Sequence, residues 1–497
     1  MSAAAKTSPA RVSGLGAGLS ANAPSLLLPL RFMVTGLLAL VTGMALLVLR
    51  PEILSTYHYN QYVIAATHLF VLGWICTIVM GAMYQLVPVA LETRLYSERL
   101  ARWQFVFHLV GVAGMVWMFW TWNMKQVGHF GCVLFLGVGL FVYNLSRTLL
   151  RVPRWNVIAS SIAAALGWLS LAVLAGLTIA AGKCSYDTDT IAKAGGLFGG
   201  VLGGLKAVAA FATRFDPIGA MHAHAHLGSV GVFLMLIVGI SYKLLPMFTL
   251  SEVQNRWRTR LSLGLLNLGL LGSFMTILLH SRSKMAFALL IAIGLGIYGY
   301  EILAILRARK RRTLDWGVKY FLTALGLLAP LTLLALALSW PGLPFTGFTG
   351  QLENLYGFLA FVGVFSFAII GMLYKIIPFL VWYKSYSRQI GLGKVPALAN
   401  LYSAGIQSAG YWTYVAGLVV TSAAIILSSA MGVRSGTVLL GLSLAFLAAN
   451  VVKMLRHLVK PQILPVAAEP TTTIRREIAP RGHPVLPSAG VASNSIL

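Results

Sequence analysis

The side chains in this sequence best suited to chemistry are its imidazoles. Ten histidines occur in 497 residues, an ordinary number with an uneven distribution. The densest group is Met221-His222-Ala-His224-Ala-His226-Leu-Gly228, just after Asp216-Pro217. Asp before Pro is a helix-start signal, because the carboxylate caps free amides and Pro is tolerated in the first turn. On that helix His222 and His226 stand four apart and share a face, while His224 points nearly opposite. One helix thus offers two ligands to one site and a third imidazole to another. Neutral imidazole is a favoured ligand of copper, zinc and iron. His58, His68, His129 and His280 occur singly, and Glu301 and Glu353 are carboxylates beside apolar runs. The three cysteines, Cys76, Cys132 and Cys184, form no CxxC pair. That spacing excludes a disulfide framework, a zinc finger and an iron–sulfur cluster.

The elements that must position these groups are membrane spans. Hydrophobic residues make up 58% of the chain and charged residues 10%, with a mean hydropathy of +0.81. So few charges cannot coat a water-exposed surface of this size. About twelve apolar runs have the ~20-residue length of a bilayer-crossing helix. They are Phe32 to Leu49, Tyr62 to Ala90, Trp103 to Trp122, Phe130 to Leu149, Val157 to Ala181 and Ile218 to Leu250. The rest are Leu261 to Leu279, Met285 to Leu306, Val318 to Leu338, Leu355 to Val381, Trp412 to Leu427 and Val438 to Leu455. Residues 193–215 are Gly-rich, carry Lys206 and read as an extramembrane or interfacial segment, with a thirteenth span as the competing reading. The net charge of +26 sits in short clusters between runs, where it sets topology and meets anionic lipid, and it does not indicate nucleic acid. Clusters such as Arg307, Arg309, Lys310, Arg311 and Arg312 alternate with nearly uncharged loops, which puts both termini in the cytoplasm. The expected organisation is a flexible N-terminus (1–30), one membrane domain (31–458) and a flexible tail (459–497). No cleavable signal pattern precedes the first run.

A motif occurs three times. Gly81-Ala-Met-Tyr84-Gln85-Leu-Val-Pro88 recurs as Gly239-Ile-Ser-Tyr242-Lys243-Leu-Leu-Pro246 and as Gly371-Met-Leu-Tyr374-Lys375-Ile-Ile-Pro378. Each copy closes a run, the second, sixth or tenth, on the cytoplasmic side. The chain therefore reads as three four-helix units, roughly 31–150, 156–306 and 317–458. Tyr and Lys at these positions read as interfacial anchors. Thirteen residues before the Gly stand His68, His226 and Phe358. His58, His68, His129, His222, His224, His226 and His280 fall at or near outer ends of runs, and His108, His457 and His483 on the cytoplasmic side. Intramembrane ionisable groups mark function, although an isolated imidazole such as His68 also reads as a hydrogen-bonded structural group. Glu353 is expected to open the tenth span and face the positive end of its dipole, with a role as ligand or counter-charge as the alternative. Glu301 is expected to pair with Arg307 or a neighbouring Arg.

Twelve spans in three quartets, with Thr67-His68-Leu-Phe-Val-Leu-Gly-Trp74 leading to Gly81 and Pro88, resemble subunit I of the haem–copper oxidase superfamily. The resemblance implies an all-α integral membrane protein of the cell inner membrane. It implies that His68 ligates haem and that His222, with His226 one turn later, stands where the family's sixth helix ligates copper. His222-Ala-His224-Ala-His226 is also similar to the NnrS-type membrane haem–copper proteins linked to nitric oxide tolerance. The chain departs from subunit I where the family's other ligands stand. The seventh run has only His280 at its end, and the tenth carries Phe358 with Tyr356 nearby. The expected function is a respiratory-type redox protein. Haem would sit on His68 and copper on the outer set His222, His224, His226 and His280. O2 or NO would be the gas handled, and a donor cytochrome or other respiratory subunits the partners beside membrane lipid. The alternatives are a haem-free copper-binding accessory or transport protein using the same histidines, and a structural subunit that lost its metals.

Overall fold

The computed structural model describes residues 24–183, 195–390 and 395–462. Cys184, Lys193, Lys394, His483 and most of both expected tails lie outside those residues. Among the described residues, twelve helices are long and apolar enough to cross a membrane. They are α1 Leu27–Leu49, α2 Gln61–Ala90, α3 Glu98–Trp120, α4 Met124–Leu149, α5 Val157–Gly182 and α6 Pro217–Thr249. The second half comprises α7 Arg256–Leu278, α8 Lys284–Arg307, α9 Trp316–Leu338, α10 Gly347–Gln389, α11 Ala404–Ile426 and α12 Ala430–Val459.

Most of these helices begin several residues before their apolar runs, and polar caps are the reason. Asn60, Ser97, Asn123, Asn156, Asp216, Asn255, Asp315, Thr346, Ser403 and Ser429 each accept a hydrogen bond from a first-turn amide. Such a cap contributes about 1 kcal/mol. α1 starts at Leu27, inside the expected N-terminal tail. Within the interval read as extramembrane or interfacial, Gly196–Ala212 is a 17-residue helix that packs along α5.

Three helices form the centre. In α2, α6 and α10 the apolar windows are 61%, 78% and 67% buried, against 22–39% in the other nine. Each central helix packs on the one before it, α1, α5 or α9, and α12 closes back onto α1. The pairs α3/α4, α7/α8 and α11/α12 pack as the most extensive hairpins. Each motif glycine lies at the contact with the preceding helix. A Cβ on Gly81 would stand 2.4 Å from Phe32 Cβ, on Gly239 1.7 Å from Ser161 Oγ, and on Gly371 2.6 Å from the Gly317 carbonyl oxygen. Small residues let helix backbones approach this closely.

The motif tyrosines correct the expectation that they anchor at headgroups. Tyr84, Tyr242 and Tyr374 are buried. Tyr84 donates to Gln104 Oε1 at 3.3 Å, Tyr242 shares a 2.8 Å bond with Ser262 Oγ, and Tyr374 accepts from Asn450 Nδ2 at 3.4 Å. A buried phenol needs a partner, so each bonds to an adjacent helix. Lys243 is exposed, whereas Lys375 pairs with Asp315 at the start of α9. Glu301 is fully buried. Its partners are Arg258 at 2.9 Å and the backbone amides of Gln254 and Asn255 at 2.6 and 2.9 Å, not Arg307. Those bonds hold the α6–α7 turn, a structural role.

Each central helix also changes its winding at the same register. π-helical stretches cover Leu69–Cys76, Leu227–Leu234 and Leu359–Phe365. They begin directly after His68, His226 and Phe358. Such i→i+5 turns are rare and concentrate at functional sites.

Gly371→Ala is expected to cost about 1–3 kcal/mol, because the new methyl meets fixed backbone. Gly299→Ala, where nothing lies within 4 Å, is expected to be neutral or to stabilise by about 0.5–1 kcal/mol. Thermal unfolding of the purified variants in detergent compares them.

Candidate functional site

The N-terminal halves of α2, α6 and α10 enclose a cavity of about 730 Å3, within the ~300–1,000 Å3 range of cofactor and small-molecule sites. His58, His68, His222, His224, His226 and His280 all line it. The lining extends down the central helices to Cys76, Leu234 and Phe365, so the space runs the length of the three π-helical stretches. All five histidines singled out from the sequence as ligands therefore share one cavity. They do not share one cluster.

His68 is half-buried on α2. Its Nδ1 donates to the Ile64 carbonyl at 2.8 Å, since a carbonyl can only accept. The ring is thus fixed as the tautomer whose Nε2 carries a free lone pair. Its face lies 4.6 Å from the Phe119 ring. His226 on α6 has the same arrangement, with Nδ1 donating to the His222 carbonyl at 2.7 Å. Its ring stacks at 6.1 Å on Tyr356 of α10. Between them in sequence, His224 turns to α5. A Cβ on Gly176 would stand 3.0 Å from His224 Cε1, so the glycine lets the ring lie close against α5. His224 Nδ1 is buried and makes no hydrogen bond of good geometry, the backbone of Ala172 on α5 lies beside the ring, and His68 lies within electrostatic reach of it.

The other two separate from this pair. His280 sits at φ +50° just past α7, a left-handed position that His enters more readily than most residues. It is 61% exposed, and its Nε2 lies 3.2 Å from the Asp216 carboxylate. The amide of Gly219 donates to that carboxylate at 2.7 Å, and this bond, ahead of the His280 charge, holds Asp216 below its ordinary pKa. His222 turns to the rim, where its Nε2 lies 3.0 Å from Nε2 of His58. Among the described residues one group of three ligand-bearing side chains has the spacing to hold a metal ion, and it is His58, His222 and Glu353. Burial holds the His58 imidazole below its ordinary pKa, which keeps the ring neutral at pH 7. Glu353 does not open its helix as expected. The cap is Thr346, so Glu353 lies beyond the first turn, outside the reach of the dipole.

His129 is exposed, with Nδ1 3.2 Å from Gln126 Oε1. His108 is in the middle of α3, not on the cytoplasmic side, and bonds Thr77 Oγ1 at 2.9 Å. His58 joins the site through a loop, where no periodicity could point to it. Two α10 side chains hold that loop. Gln351 Nε2 donates to the Ser55 carbonyl at 3.0 Å, and Asn354 Nδ2 donates to the carbonyls of Thr56 at 2.6 Å and Leu54 at 3.4 Å. Trp74, in the motif after His68, ties α2 to α10 by donating to Ser366 Oγ at 2.9 Å.

Comparison with known proteins follows this geometry. Residues 22–127, a fifth of the chain, match the family model "Cytochrome C and Quinol oxidase polypeptide I". Among solved structures, a haem–copper terminal oxidase dimer has a chain that superposes with a TM-score of 0.56 at 11% identity. The match covers 89% of this chain and 86% of that one. At that identity the likeness is one of fold.

Asn354→Leu should free the loop that carries His58. Its carbonyl acceptors would be left without their donor, and a loss of about 1–3 kcal/mol is expected in thermal unfolding.

Proposed function

We propose that this haem–copper oxidase subunit I-like membrane protein is a redox protein whose central cavity would hold haem, with His68 and His224 as the residues that would ligate it. The observation that carries this reading is the pairing itself. Two imidazoles from α2 and α6 line one cofactor-sized cavity within electrostatic reach of each other, and each is prepared differently for a ligand. His68 has Nδ1 committed to Ile64, the outer hydrogen bond that orients ligating histidines. His224 has a buried ring nitrogen that makes no hydrogen bond of good geometry, and Gly176 lets its ring lie close against α5. A buried polar atom without a good partner is costly, and a coordinated iron would relieve that cost. The residues present fit a haem.

Haem bound there would supply one-electron chemistry and, with a displaceable ligand, affinity for a diatomic gas such as O2 or NO. The chain's own contribution is to hold the rings, to exclude water with an apolar lining and to fix the His68 tautomer. The positive-inside rule supports an arrangement with the cavity near the outer face of the inner membrane and both termini inside. Electrons would then come from an outer donor such as a cytochrome.

The copper of the subunit I family fits less well. Its seventh-helix histidines have no counterpart within α7, and His280 faces Asp216 at the exposed end. His226 faces Tyr356, and Phe358 fills the tenth-helix register. No step is therefore assigned to a copper held in the family's manner.

Purified wild-type protein should contain one haem per chain, with a low-spin bis-histidine spectrum. His68→Ala and His224→Ala should each abolish that signature, while His226→Ala and His280→Ala should leave it. Protein that stays haem-free after expression with excess haem, or a spectrum that survives both critical substitutions, would overturn the assignment. Copper retained without haem would favour the copper-binding accessory reading.

A further inference from the structure

We infer that His58, His222 and Glu353 form a binding site for a divalent transition-metal ion, Zn2+ or Cu2+, at the rim of the cavity. The site joins three elements distant in sequence: the loop before α2, the first two turns of α6 and the second turn of α10. One ligand atom from each residue lies within 4.8 Å of the other two. The His58 and His222 Nε2 atoms are 3.0 Å apart. Two nitrogens on one tetrahedral zinc, at bonds of ~2.0–2.1 Å, stand about 3.3 Å apart, so a shift of a few tenths of an ångström admits the ion.

The ring chemistry points the same way. Two imidazole nitrogens facing each other require one to donate and one to accept, and a metal ion replaces that single shared proton with two coordinate bonds. On its other edge, His58 Nδ1 lies 3.7 Å from Glu353 Oε2. Both atoms are buried without a hydrogen-bond partner. The carboxylate faces the ring nitrogen turned away from His222, so a rotation of the Glu353 side chain toward the shared side is needed to complete a His2Glu set, which leaves a fourth position open in the manner of catalytic zinc. It also neutralises one of the two charges that the ion brings into a half-buried place. An N,N,O donor set of this kind selects Zn2+ or Cu2+ over Mg2+ or Ca2+. Lys284, at the start of α8, lies within electrostatic reach of both His222 and Glu353.

The site is separate from the haem pair, since it uses neither His68 nor His224. The two sites share α6, which carries His222 and His224, and the chain that runs from His58 into α2, which carries His68. A metal at the rim would clamp the His58 loop over the cavity mouth.

Detergent-purified protein, stripped with a chelator, would be dialysed against Zn2+ and its metal content measured. Cu2+ loading followed by electron paramagnetic resonance would count nitrogen ligands. One zinc per chain and a two-nitrogen copper spectrum are expected. His58→Ala with His222→Ala should weaken zinc binding by about 100-fold or more, and Glu353→Gln by about 10–100-fold. His280→Ala should leave it unchanged. His58→Gln with His222→Gln offers a milder pair if the alanine double variant does not elute as a monodisperse species. Wild-type protein that takes up no stoichiometric zinc, or a folded double variant that binds as wild type does, would overturn the site. Because haem is not read in this experiment, failure of the haem reading leaves its result intact.

Discussion

The structure depends on three close contacts between a central helix and the one before it. Gly81 against α1, Gly239 against α5 and Gly371 against α9 leave no room for a side chain. Apolar side chains gain little by leaving lipid for protein, so helices in a bilayer associate by close packing and by hydrogen bonds. These contacts supply the packing, and the buried tyrosines three residues later supply the bonds. Together they tie the motif end of the molecule, and the open space lies at the opposite end.

That space is shaped by helix winding as well as by side chains. From His68, His226 and Phe358 onward each central helix passes into π turns. A wider turn displaces the residues before it relative to the packed half, and it leaves carbonyls for hydroxyls to satisfy. Thr77 and Ser366 do so, donating to the carbonyls five residues back at 2.8 and 2.6 Å. The cavity lining stops where these stretches stop. The winding change and the cavity thus end together on all three helices, although only two carry a histidine where the winding begins.

The histidine triplet illustrates how one helix serves two places. With a ring every second residue, α6 presents His222 and His226 on one side and His224 on the other. The side chains around them then part even the first two. His222 meets His58 at the rim, and His226 meets Tyr356 deeper in. Shared helix face is a weaker constraint than shared partner, because a residue pair one turn apart is still about 5–6 Å apart.

Most of the fold was legible in the sequence. Runs of apolar residues at bilayer length specify helices wherever backbone groups must be bonded internally, and the thrice-repeated Gly-x-x-Tyr-x-x-x-Pro marked the central helices. The register that aligned His68, His226 and Phe358 also marked where the winding changes. The helix starts were missed, since hydropathy is blind to caps such as Ser429, nine residues before its run. The motif tyrosines were misjudged because Tyr suits both an interface and a bonded interior, and only the neighbours Gln104, Ser262 and Asn450 distinguish them. Composition and spacing determined by themselves that imidazoles gather near one end of a membrane bundle. Which imidazole faces which was decided by tertiary structure alone. His58 approaches His222 across 164 residues of chain, and no local pattern encodes a distance between side chains that meet only when separate helices pack.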